Sequence, residues 1–259
     1  MVQQVRAPLG SALTLLLSLS TLSTLFAREL LIAGIVVTIG LLAWGWPRLL
    51  ELPAPRSATF LIAASGLSAL GVGWLLNTEL SLEVPISVVM AIVFFLCIMR
   101  EMLRPSRHRL TLSLSGTVVG CLFSLLCVTW LQAFSLAQAS PWRADALFAS
   151  LTLGLCASLA VLALPGSGKA RVPGSIIAGA VMCSLMATVF TSPILTILLC
   201  GAMGAVVAGV AVSTHYLMVR VIAAYDNAGY AAVGAAPVAV AGVAVLLFMR
   251  AGIQWLGLG

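Results

Sequence analysis

The stretch Ser213-Thr214-His215-Tyr216, continuing through Arg220 to Tyr225-Asp226-Asn227, holds the side chains best suited to acid–base work. An imidazole, a carboxyl and two phenols near a membrane face can move protons to or from a bound substrate. His215, Tyr216, Arg220 and Asp226 are therefore the candidate functional cluster. The same residues also read as a short cytoplasmic helix with an interfacial Tyr-His-Arg face, which needs no chemistry. Metal ligation would require at least a third ligand, and none is evident.

Other segments with chemical types carry less. Gly166-Ser167-Gly168-Lys169 has the ingredients of a phosphate loop, but that pattern needs four residues between its glycines and a Ser or Thr after the Lys. Here Ala170 follows, so a flexible basic loop is the plainer reading. Glu79, Glu83 and Asp145 outline an acidic rim without the clustered Asp motif that metal-dependent chemistry on lipid-linked phosphates uses. The six cysteines (Cys97, Cys121, Cys127, Cys156, Cys183 and Cys200) lie in apolar runs and form no CxxC pair, so they read as small buried hydrophobes. No catalytic residue, cofactor or metal site is named by these observations.

The densest charge is Arg100-Glu101-Met102-Leu103-Arg104-Pro105-Ser106-Arg107-His108-Arg109. Beside a bilayer, Arg100, Arg104, Arg107 and Arg109 would each contribute about 1 kcal/mol toward anionic headgroups. They are the expected contacts to anionic lipid or to a partner protein.

What must position these groups follows from composition. The 259 residues are 62% hydrophobic and only 8% charged, and mean hydropathy is +1.18. A soluble domain carries about 25% charged residues, so the solvent of this chain is lipid. Disordered chains and outer-membrane barrels are excluded by the same arithmetic. A net charge of +6 then reflects basic loops at a membrane rather than nucleic acid, which is not an expected partner.

A span needs about 20 apolar residues. Cutting at charges and prolines gives eight segments, at 30–46, 58–76, 84–99, 110–134, 145–164, 174–191, 194–213 and 230–249. A ninth, 9–27, is a full span or an uncleaved interfacial or signal-anchor helix. Leu25 stands where a signal-peptidase site wants a small residue, and Ser11, Thr14, Ser18 and Thr21 form a stripe suited to helix packing. The expected fold is all-α, a polytopic transmembrane helix bundle of 8–9 spans forming one membrane domain over 1–259.

With nine spans and the N-terminus in the cytoplasm, ten of the thirteen Lys and Arg fall on cytoplasmic segments. Only Arg28, Arg143 and Arg250 fall outside. The positive-inside rule favours this orientation, with the C-terminus exterior. Trp74, Trp142 and Trp255 mark the exterior edges, and Trp44 and Trp46 a cytoplasmic one.

After an N-terminal helix (1–29), the halves 30–134 and 145–249 each hold four spans. Leu52-Pro53 and Leu164-Pro165 precede basic residues, and Pro85-Ile86 and Pro193-Ile194 follow at the next turn. A parallel 4+4 duplication gives this outline, as do prolines that simply mark span ends. Small residues at i, i+4 spacing, Gly116 with Gly120 and Gly201 with Ala205 and Gly209, are expected at helix contacts.

Residues 28–56, with Arg-Glu-Leu-Leu, Ala43-Trp44-Gly45-Trp46-Pro47-Arg48-Leu49-Leu50 and Pro55-Arg56, resemble a family of uncharacterised actinobacterial polytopic membrane proteins. Gly234-Ala235-Ala236-Pro237-Val238 is similar to that family too. The resemblance implies a bacterial cytoplasmic membrane and brings no activity or site residues. No charge lies at mid-membrane depth, which counts against ion-driven pumps but not against a facilitator using hydroxyls and broken-helix backbone. The sequence therefore favours a small-solute or lipid-handling permease. The alternatives are a non-catalytic membrane subunit acting through a partner, and an intramembrane enzyme built on His215, Tyr216 and Asp226.

Overall fold

The computed structural model describes residues 28–75, 83–103, 109–139, 143–164, 168–189, 194–221 and 227–255. The expected first helix at 9–27, together with Arg104, Arg107 and Asp226, lies outside the described residues. The chain folds into α1 (Arg28–Leu49), α2 (Pro55–Leu75), α3 (Glu83–Met102), α4 (Leu110–Leu126) and α5 (Thr129–Ala139). It continues with α6 (Arg143–Ala163), α7 (Gly168–Val189), α8 (Ile194–Val221) and α9 (Asn227–Trp255). Among the described residues there is no strand.

Taking α4 and α5 together, seven helices are long and apolar enough to cross a membrane. α3 adds 20 residues with an uncharged stretch from 86 to 99. The protein is a multi-pass membrane helix bundle in contact with lipid. The short connections reverse the chain each time. One end therefore gathers Arg48, Arg56, Arg100, Arg109, Arg171 and Arg220, and is called the basic end below.

Helices that are apolar all round cannot be sorted by an apolar stripe. Here they are sorted by side-chain size. α9, rich in Ala, Gly and Val, is the central helix, with 78% of its apolar window buried, against 22% for α7. It packs on α1, α8, α5, α6 and α4. Bulky residues such as Phe60, Phe95, Leu195 and Leu198 face outward, where lipid solvates them as well as protein would. In the first half α2 packs on α4, and in the second α6 packs on α8.

α1 ends in a tight cap. Leu52 N donates to Pro47 O at 2.9 Å and Glu51 N to Arg48 O at 3.2 Å, with Glu51 left-handed at φ 48°. This is a Schellman motif, in which glycine usually takes the left-handed place. It drives Leu52 into the bundle, where it is buried beside Gly116.

Candidate functional site

Between α4 and α5 the helix is broken at Cys127-Val128. No Gly or Pro causes it. The Thr129 hydroxyl donates to Leu126 O at 2.6 Å, and the Cys127 thiol to Phe123 O at 3.4 Å. Side chains that bond back to the preceding turn compete with the helical ladder and bend it. The backbone answers with tighter bonds, Val128 N to Leu125 O and Leu131 N to Val128 O, both 3.0 Å.

The break faces α9 beside Pro237, one of the prolines that lie inside described helices. Proline removes one ladder bond and displaces the carbonyl four residues earlier. Trp130, the second residue of α5, donates its indole N–H to Val238 O at 2.8 Å. An added Cβ on Gly242 would lie 2.7 Å from both Thr129 Oγ1 and the Trp130 ring, so these side chains of α5 rest directly on the α9 backbone there. Phe148 of α6 closes the cluster, 6.4 Å from Trp130 and 6.1 Å from Phe134, edge to face. Ser124, Thr129 and Gln132 are buried around this point. The arrangement places hydroxyls, an amide and irregular backbone inside an apolar bundle, which suits reversible binding of a small polar group better than bond-making.

A second polar centre lies at the basic end. Arg100 of α3, expected from the sequence to contact anionic lipid or a partner protein, is engaged by groups of the chain itself. Its guanidinium donates to Ser57 Oγ at 2.8 Å, to Thr117 Oγ1 at 3.0 Å and to Ala54 O at 3.0 Å. It pairs with Glu101 at 3.3 Å, and Glu101 accepts the Ser113 hydroxyl at 2.5 Å. Glu101 is buried, and the sequence reading passed over it. Its signal was a carboxylate beside an arginine on the last turn of an apolar helix. Arg109 is exposed and left-handed at φ 52°.

The sequence cluster is only partly described. His215 is buried, Tyr216 is half-buried and Arg220 is exposed on α8, with the His215 and Tyr216 rings 6.0 Å apart at 87°. Among the described residues no group of three His, Cys, Asp or Glu side chains could hold a metal. The small residues also sort themselves. Added Cβ atoms on Gly116 and Gly120 would strike Leu52 at 2.8 Å and the Trp46 ring at 2.5 Å. On α8 the close-approach face runs through Gly201, Gly204 and Ala208, whereas Gly209 has nothing within 4 Å of an added Cβ and Ala205 is half-buried. The strict i, i+4 spacing missed Gly204 because a straight helix turns its contact face by threes as well as fours.

Compared with known proteins, the chain matches no family model, no curated protein and no solved structure.

Proposed function

We propose that the protein is a permease for a small solute or lipid in a bacterial cytoplasmic membrane. In this reading it has eight or nine spans, with the N-terminus inside and the C-terminus outside. What supports the activity is one observation, the α4–α5 break seated against Pro237 of α9 in the interior of the bundle. Discontinuous helices recur at substrate sites of membrane carriers, where irregular backbone meets the polar parts of the cargo. Trp130 and Gln132 would line the route, and the hydroxyls of Ser124 and Thr129 would exchange their backbone partners for substrate. Duplicated halves would place a substrate between them, near α9.

The test is solute flux into proteoliposomes holding the purified chain, over a panel of sugars, amino acids, polyols and short lipids. We expect uptake of at least one class, and uptake that persists when proton and sodium gradients are collapsed. No flux over the panel from correctly folded protein overturns the reading. A stoichiometric partner co-purifying with inactive protein would replace it with the subunit reading.

A further inference from the structure

Among the described residues, three buried side-chain atoms have no hydrogen-bond partner: Ser158 Oγ, Arg171 Nε and His215 Nδ1. They lie on α6, α7 and α8, which pack against one another pairwise. The register of these antiparallel helices is fixed by their closest approaches. An added Cβ on Gly154 would meet Gly179 O at 2.9 Å, and one on Gly174 would meet Val161 at 3.7 Å. A Cβ added on Gly179 would lie 2.6 Å from Ala208 Cβ, and one on Gly204 2.5 Å from Cys183 Cβ. Carried toward the basic end, this pairing sets Arg171 level with His215, and Ser158 about one and a half turns (about 7.5 Å) deeper. His215 also continues the α8 face of Gly201, Gly204 and Ala208 that meets α7. All three orphan atoms thus fall in one quarter of the molecule.

Leaving such atoms unpaired forfeits their solvation without return, and charge makes the imbalance sharper. α7 and α8 contain no Asp or Glu, and the acid of α6, Asp145, sits at the other end of its helix. We propose that the basic end of the α6–α7–α8 triplet binds an oxyanion, phosphate or phosphate ester, held by Ser158, Arg171 and His215. Arginine offers planar donors matched to phosphate, the serine hydroxyl adds a donor, and the imidazole donates from Nδ1 in the fitting tautomer. Arg171 as a whole is only half-buried, so its side chain is not sealed inside the triplet. This site is separate from the α4–α5 break and stands whether or not the protein transports.

The test uses the full chain in nanodiscs and two probes. Inorganic phosphate is titrated calorimetrically. Retention of phosphatidylglycerol over phosphatidylcholine is read by native mass spectrometry. We expect one probe to be held, with Arg171→Gln and His215→Gln each weakening it tenfold or more, Ser158→Ala about threefold, and Arg171→Lys less than Arg171→Gln. Retention of the lipid without phosphate binding assigns a lipid headgroup, and phosphate binding that displaces the lipid assigns a free anion. If neither probe is held, or if Arg171→Gln binds as well as the parent, the proposal falls. It falls too if Asp226→Asn and His215→Gln prove non-additive in unfolding stability, because a carboxylate of the chain itself then fills the place. Should Arg171→Gln fail to fold, Ser158→Ala carries the test.

Discussion

The α1–α4 group and the α6–α8 group are assembled from equally apolar helices and are held together differently. In the first, helices are joined by short hydrogen bonds. Trp46 Nε1 reaches Gly116 O at 2.8 Å, Ser124 reaches Ile62 O at 2.8 Å, and Arg100 spans three segments. In the second, the polar contacts between helices are long, Cys183 to Ser150 at 3.6 Å and Ser184 to Ile197 O at 3.4 Å. There the helices approach through glycine, so that backbone touches backbone at Gly154, Gly179 and Gly204. Without a hydrophobic drive in lipid, polar pairing and close packing are the two remaining means of association. Each half relies mainly on one of them. The buried orphan atoms all belong to the half held by packing, where hydrogen bonding was not needed for cohesion.

This contrast can be broken at Arg100. Arg100→Ala takes the cation away from buried Glu101 and leaves it the Ser113 hydroxyl, and removing one member of a buried ion pair typically costs about 3–5 kcal/mol. Unfolding in mixed detergent should show a loss of that size, with Glu101→Gln in the same background restoring part of it. If the double variant is no better than Arg100→Ala, the pair is not what holds α3 to α2 and α4.

The packed half is tested by a pair of glycines on one helix. Gly204→Ala forces a methyl against Cys183 and Gly179 O and should destabilise by about 1–3 kcal/mol, the range for overpacking. Gly209→Ala meets open space and should stay within about 0.5 kcal/mol of the parent. Equal effects would mean that α8 does not use the Gly204 face.

Trp130→Phe keeps the ring and removes the donor to Val238 O. A loss of about 1 kcal/mol is expected, and transport should fall by more than stability does if the α4–α5 break carries substrate. The smallest effect is expected at the α1 cap. Glu51→Gly relieves a left-handed residue and should stabilise by about 0.5–1 kcal/mol, leaving both modes of association untouched.

Much of this was legible in the sequence. The helices from Arg28 to Trp255 fall on the apolar segments because lipid demands long uncharged runs with every backbone group bonded internally. The division of positive charge between loops marked the ends for the same reason. The break at Cys127-Val128 was not legible, since no Gly or Pro announces it and its cause is two side chains bonding back to their own turn. The roles of Gly204 and Gly209 could not be told apart either, because spacing alone does not say which face of an apolar helix meets a neighbour.

Sequence by itself determined that this chain lives in a bilayer as a bundle of helices, because that conclusion needs only composition, run length and charge position. Tertiary structure decided everything that depends on which helix stands beside which. It turned Arg100 inward, seated the α4–α5 break on Pro237, and brought Ser158, Arg171 and His215 to one end of three helices. The physical reason is that a helix apolar on every side carries no mark of its partner, so only packing chooses the neighbours and thereby the sites.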